Sequence, residues 1–167
     1  MTSDKDRAGV LNDYFASVCT KDDGSTSLMS SRVQEGKAID SVTFSPASVK
    51  KAIKKLKRNS ASGPDGFPPL LFKGSAECLT GPLSLLLTSF FSVGQIPKEW
   101  LRAIVTPVYK NGSASMSTNY RPISLTCVAC KLMERIIVSE MLSYLRSNNL
   151  ISKQQHGFVS RKPTTTN

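Results

Sequence analysis

Apolar residues recur at helical spacing in three stretches of the chain. Ser45 and Pro46 form a typical N-cap and first-turn pair, and the apolar pattern after them predicts a helix of about three turns ending near Asn59. The pattern in residues 79–93 predicts a core helix that stops at the glycine following it. A wide apolar stripe in residues 128–145 predicts a helix of about five turns.

Two segments rich in β-branched residues, 101–109 and 120–126, predict the strands of an antiparallel β-hairpin with a long mobile loop of small polar residues. Pro107 and Pro122 have no N–H, so each is expected at a free strand edge or a bulge. Alternation along the second strand places Arg121 on a face with apolar neighbours, where a guanidinium needs a carboxylate or a phosphate.

Shorter features complete the picture. Residues 10–18 form an amphipathic candidate for a leader helix, and the polar residues after them have linker composition. Pro68 and Pro69 predict a short helix, and Trp100 is interpreted as a core anchor. Asp65, between proline and glycine, is typical of a turn residue rather than a catalytic one. The chain is therefore expected to be α+β and mostly helical, with a leader helix and flexible linker in residues 1–44 and the main region in residues 45–167.

These two regions differ in net charge. The 167-residue chain carries 22 Lys+Arg and 12 Asp+Glu, a formal net charge of +10, and residues 45–167 hold 17 basic and 5 acidic side chains, a net charge of +12. Such a basic excess favours an anionic partner such as nucleic acid or a membrane surface. Lys50, Lys54 and Lys57 have no acidic residue four positions further on, so a phosphate-binding stripe and an ordinary solvated helix face both remain open.

Cysteine usage and hydropathy indicate the cellular location of the protein. Four scattered cysteines indicate a reducing, intracellular location, in the cytoplasm or the nucleus. Cys127 and Cys130 have C-x-x-C spacing, but the only histidine, His156, has no second pair of ligands nearby, so two small residues at a helix start are favoured over metal or redox chemistry. The apolar runs are too short for a transmembrane helix and the polar first residues exclude a signal peptide, so no membrane partner is expected.

Four motifs follow one another along residues 45–163. They are SGPDGFPP at 62–69, PKEWLRAIVTPVYKNG at 97–112, NYRPISL at 119–125 followed by the helix CVACKLMERIIVSEML, and QQHGF at 154–158. In this order they resemble the fingers region of the reverse transcriptases encoded by non-LTR, LINE-like and jockey-like retrotransposons. The resemblance implies part of a right-hand RNA-directed DNA polymerase fold, truncated before its palm and thumb.

The resemblance also implies roles for particular residues. Lys110, at the end of the first strand, and Arg121, at the start of the second, match positions that contact the triphosphate of the incoming deoxynucleotide. An ordinary ion pair between Arg121 and Glu134 is the alternative. The segment matching the element along the template strand contributes Gln155, Gly157, Phe158 and Arg161. The sequence departs from the family pattern at Lys162 and Pro163, where small residues are expected. The implied partners are an RNA or DNA template-primer and a deoxynucleotide triphosphate.

Nucleotidyl transfer in this family uses two metal ions, expected to be Mg²⁺, held by aspartates of the palm. Residues 67–167 contain no aspartate, so no catalytic and no metal-binding residue is predicted here, and the chain alone is not expected to polymerise. The prediction is a fragment contributing nucleotide and template binding. The alternative is a non-enzymatic nucleic-acid-binding or interaction module derived from such an element. The two long helices present more apolar surface than the short hairpin can cover, which predicts association.

Overall fold

The computed structural model describes residues 3–20, 24, 39 and 41–152, which form five α-helices and one two-stranded antiparallel sheet. The helices are α1 (Asp4–Ser17), α2 (Pro46–Lys54), α3 (Pro69–Gly74), α4 (Ala76–Val93) and α5 (Val128–Ser147). The strands are β1 (Ile104–Tyr109) and β2 (Tyr120–Leu125), and short 3-10 turns lie at Lys98–Leu101 and Ser117–Asn119. The α+β class predicted from the sequence is confirmed.

Helices α2 to α5 share one hydrophobic core. Helix α2 packs against both α4 and α5, and α3 covers an adjacent part of the same core. The most deeply buried side chains of this core are Phe44, Val49, Ile53, Leu87, Val128 and Leu132. Trp100 is half-buried beside this core with its ring edge-on to Phe90, 5.4 Å between centroids, which confirms its interpretation as an anchor.

Helix α2 begins where the sequence predicts. The Ser45 hydroxyl accepts a hydrogen bond from the Ser48 amide at 3.1 Å, and Pro46 occupies the first turn. The helix ends at Lys54, five residues before the predicted end at Asn59.

Side chains from other elements bind carbonyl groups at this early end. The Lys73 ammonium donates to the carbonyl oxygens of Lys54 and Leu56, each at 2.8 Å. The Arg135 guanidinium donates to the Ala52 carbonyl at 3.2 Å. These donors supply hydrogen-bond partners to carbonyl groups at and just beyond the helix terminus.

The β-hairpin is regular along its whole length. Its register pairs Ile104 with Leu125 and places Pro107 opposite Pro122 without a bulge. The Lys110 amide donates to the Asn119 carbonyl at 2.8 Å, which extends the ladder by one pair. Because bonded and non-bonded pairs alternate, the two prolines form a non-bonded pair whose missing N–H groups would point outward. The free-edge alternative is the one observed.

The exclusion of a transmembrane helix from the sequence has to be corrected for α4. This helix is long and apolar enough to cross a membrane by length and composition. The requirement for an uninterrupted apolar run was therefore too strict. Core helices pass the same test, and Leu83 and Leu87 of α4 lie in the helical core. The other side remains uncovered, with Leu85 77% exposed, in line with the predicted surplus of apolar surface.

The leader helix is longer than predicted. Helix α1 begins at Asp4 because Ser3 and Asp6 form a reciprocal capping box, and its buried residue is Phe15. Val10 is 60% exposed, so the amphipathic interpretation is only partly correct. Most of the predicted linker lies outside the described residues.

Candidate nucleic-acid interface

The hairpin places Lys110 and Arg121 on the same face. Arg121 pairs with Val108, and Lys110 lies two ladder positions further on, opposite Asn119. Side chains alternate between faces along a strand, so Lys110, Val108 and Arg121 project to one side. Lys110 and Arg121 are diagonal neighbours, a relation that typically puts Cα atoms about 7–8 Å apart. Two cations at this spacing can both reach one polyphosphate.

Both cationic side chains are exposed, and within residues 41–152 neither forms an ion pair with a carboxylate. The Glu134 carboxylate instead accepts a weak hydrogen bond from the Cys130 thiol at 3.6 Å. The predicted apolar surroundings of Arg121 are also solvent-accessible, since Val108 is 42% and Ile123 46% exposed. The guanidinium therefore stays hydrated, and the inference that its surroundings demand a partner was wrong.

The loop joining the strands folds back on itself. The Asn119 side-chain amide donates to the Ser113 carbonyl at 2.8 Å, and the Tyr120 hydroxyl donates to the Ala114 carbonyl at 2.8 Å. The Tyr109 hydroxyl donates to the Gly112 carbonyl. These contacts give the loop a defined shape next to Lys110.

The lysine stripe of α2 is only partly free. Lys50 forms an ion pair with Glu77 of α4 at 2.7 Å, and the hydrogen bond from the Lys50 ammonium, together with its charge, lowers the pKa of the Glu77 carboxyl. The absence of an acidic residue four positions further on was thus a poor guide, because the partner comes from another helix. Lys54 and Lys57 are exposed, and neither makes an ion pair in the described part of the chain.

The turn formed by residues 62–66 is built into the junction between β2 and α5. The Asp65 carboxylate accepts a hydrogen bond from the Phe67 amide at 3.2 Å, which confirms the turn interpretation. Gly63 is buried, and a Cβ on it would lie 2.5 Å from the carbonyl carbon of Thr126 and from the amide nitrogen of Cys127. Only glycine allows this approach, so the turn fixes where the hairpin joins the core.

Two buried thiols lie at the start of α5. Burial raises the pKa of the Cys127 thiol, and burial together with the Glu134 charge raises the pKa of Cys130 to about 11. Both cysteines are therefore neutral thiols near pH 7, opposite to the shift that activates a nucleophile or metal ligand. Within the described residues, no group of three or more histidine, cysteine and acidic side chains is placed to hold a metal ion.

The implied template residues Gln155, Gly157, Phe158 and Arg161 lie outside the described residues. Sequence reasoning missed the structural roles of Arg135 and Lys73, and it identified Gly63 as a turn residue without its close contact to the β2–α5 junction. Arg135 and Lys73 bind the end of α2, and Gly63 permits the turn contact. The sequence Gly-Pro-Asp-Gly indicated a turn at Gly63, whereas no local pattern identifies a cation that binds a distant carbonyl.

Comparison with curated proteins relates about two thirds of the chain to RNA-directed DNA polymerases of mobile elements. The chain is 32% identical over 111 residues to the RNA-directed DNA polymerase from mobile element jockey of Drosophila melanogaster, covering 66% of this chain and 12% of that protein. It is 25% identical over 116 residues to the probable RNA-directed DNA polymerase from transposon X-element of the same species, covering 69% and 13%. The corresponding enzyme of transposon BS, also of that species, is 29% identical over 108 residues, covering 64% and 12%.

These relatives confirm the resemblance to jockey-like reverse transcriptases that the four motifs indicated. The chain is related to the RNA-directed DNA polymerases of non-LTR transposable elements and spans about 12% of the length of the curated relatives it matches. No family model matches the chain.

Proposed function

We propose that this chain is a fingers region of a retrotransposon RNA-directed DNA polymerase that binds the triphosphate of a deoxynucleotide and the phosphate backbone of a template-primer. The supporting observation is the hairpin, where Lys110 and Arg121 share one exposed face beside a folded loop. Chemistry would require the Mg²⁺ ions and palm aspartates of an intact polymerase. The role of this chain is binding and orientation.

The two cations suit complementary parts of a triphosphate. Arg121 offers a planar, permanently charged fork that can bind two phosphate oxygens at once, and Lys110 offers a mobile point charge. Neither has to break an ion pair within the described residues before it binds a ligand. Solvent exposure weakens each contact, so the proposal requires the pair to act together.

The basic surface supports the nucleic-acid part of the proposal. Lys54 and Lys57 remain candidate phosphate contacts, whereas Lys50 would have to exchange Glu77 for a phosphate. The candidate template residues are Gln155, Gly157, Phe158 and Arg161. Contacts of this kind are independent of sequence and weaken steeply as salt increases. The alternative function, a nucleic-acid-binding module without a nucleotide site, shares this surface and differs only at the hairpin.

Arg121→Lys in the full chain tests the nucleotide site. The substitution keeps the charge but loses the bidentate fork, so we expect deoxynucleotide triphosphate affinity to fall about tenfold with an unchanged melting temperature. Isothermal titration measures the affinity. Arg102→Lys, at an exposed position before β1, is the matched control and should bind like the wild type.

The possible outcomes separate the two functions. Equal nucleotide affinity in Arg121→Lys and Arg102→Lys would refute the triphosphate site. Salt-dependent binding of nucleic acid without any nucleotide binding would favour the module. A lower melting temperature of Arg121→Lys with unchanged nucleotide affinity would assign Arg121 a structural role.

A further inference from the structure

Helix α2 has two polar flanks that differ in their electrostatic surroundings. On the flank towards α4, Lys50 is paired with Glu77 at 2.7 Å, and Lys54 adds to the positive field at that same carboxylate. On the flank towards α5, Lys51 and Lys55 are exposed and make no ion pair in the described part of the chain. Residues four apart on a helix lie on one face, so each flank presents two lysines one turn apart.

The flank towards α5 borders a cleft of about 90 Å³. Its lining includes Lys51, Lys55, Arg135, Ser48, Ser139 and Glu140. The Arg135 guanidinium is held at the wall of this cleft because one nitrogen donates to the Ala52 carbonyl at 3.2 Å. Its other N–H groups remain available for a ligand. The cleft thus combines a preoriented arginine with two lysines and two hydroxyl groups.

The charge balance of the cleft favours an anion. Three cations face one carboxylate, Glu140, which lies five residues after Arg135 and therefore about 7.5 Å along the axis of α5. A larger cleft, between α1 and the hairpin loop, is lined by one acid and one base, Asp6 and Arg7, and so has no net preference. Opposing charges cancel there but not between α2 and α5.

We propose that the groove between α2 and α5, lined by Lys51, Lys55 and Arg135, is the main contact surface for the phosphate backbone of a nucleic acid. This deepens the proposed function and rests on its nucleic-acid part. Lys51 and Lys55, the residue that caps α2, lie about one helical turn, roughly 6 Å, apart. Both can therefore contact one strand, which carries a phosphate about every 3.4 Å along its axis. The flank carrying Lys50 and Lys54 contributes less because Glu77 neutralises part of its charge.

A pair of double variants of the full chain tests this assignment. Lys51→Gln with Lys55→Gln removes two charges from the groove, and Lys50→Gln with Lys54→Gln removes two charges from the other flank of the same helix. Anisotropy titrations with a labelled unstructured single-stranded RNA, and with DNA of the same sequence, at several salt concentrations measure both affinity and salt dependence. Thermal unfolding checks that both variants fold.

We expect the groove variant to bind about tenfold more weakly at low salt and its salt slope to fall by about two, for RNA and DNA alike. The variant of the other flank removes the candidate contact Lys54 but should lose less affinity than the groove variant, because Glu77 already neutralises part of the charge on that flank. Glu140→Gln should bind more tightly than the wild type because it removes the carboxylate that opposes the ligand. If the groove variant does not fold, this third variant and Lys51→Gln alone provide the test.

Equal losses in the two double variants would overturn the groove assignment and leave nucleic-acid binding intact. The absence of salt-dependent binding by the wild type would overturn both this inference and the nucleic-acid part of the proposed function. An effect on RNA with none on DNA would also contradict a backbone contact, because both share the phosphodiester chain.

Discussion

The helical core and the hairpin differ in what holds them in place. Leu87 and Leu132 of the core are fully buried. Along the hairpin, Ile104, Val105 and Ile123 are each close to half exposed, although Ile104 and Ile123 lie on one face and Val105 on the other. An isolated two-stranded sheet is marginally stable in water. The hairpin therefore depends on its attachment to the core and contributes little burial of its own.

The core residues serve stability, whereas the hairpin residues serve the proposed function. In the core, polar groups are used to complete structure, as where the Lys73 ammonium binds two carbonyl oxygens of the segment around the end of α2. On the hairpin, Lys110 and Arg121 are exposed and unpaired within residues 41–152. Substitutions in the core should change the free energy of unfolding, and substitutions of the exposed cations on the hairpin should change ligand binding.

The largest expected effect comes from Leu132→Ala. The substitution opens a cavity among fully buried neighbours, so we expect the free energy of unfolding to fall by about 2–5 kcal/mol. Ile123→Ala in β2 removes a half-exposed side chain and should cost less than about 1 kcal/mol. Urea denaturation monitored by circular dichroism measures both. Similar losses would show that the hairpin belongs to the same cooperative core.

Gly63→Ala tests the connection between the two regions. A Cβ at this position would approach backbone atoms of Thr126 and Cys127 to 2.5 Å, so the turn or the β2–α5 junction must move. We expect a loss of about 1–3 kcal/mol, measured by the same denaturation. Gly74→Ala is the control, because nothing lies within 4 Å of its added Cβ and stability should stay unchanged or rise by up to about 1 kcal/mol. Unchanged stability of Gly63→Ala would contradict a fixed junction.

Local signals were sufficient for much of the fold. The start of α2 at Ser45 and Pro46, the stop of α4 at Gly94 and both hairpin strands follow from residues close in sequence. The end of α2 could not be predicted this way. The carbonyl groups there are bound by Lys73 and Arg135, which are distant in sequence and belong to α3 and α5.

The candidate site shows the same limit. Period-two alternation was enough to assign Arg121 to a strand face, and register then added Lys110 to that face. Whether that face is buried depends on what packs on it, which no local pattern reports. The ion pair between Lys50 and Glu77 likewise joins two different helices, so a search for acidic residues four positions away could not find it. Sequence therefore located charged residues more reliably than it identified their partners.

The smallest expected effect concerns that ion pair and its pH dependence. The pKa of Glu77 is lowered by Lys50, so the pair stabilises the folded chain above the usual pKa of a glutamate, and this contribution is lost as the pH falls through the lowered value. Glu77→Gln should thus be slightly less stable than the wild type at neutral pH and equal to it in acid. Because both side chains are solvent-accessible, the difference at neutral pH should be small and should shrink further in high salt. Chemical denaturation at pH 7 and at about pH 3 measures it, with Glu140→Gln, which removes a carboxylate without an ion pair in the described part of the chain, as the control. A large loss in Glu77→Gln at neutral pH would mean that the rim of the core relies on charge, and the contrast between a core held by burial and a hairpin left free for ligands would need revision.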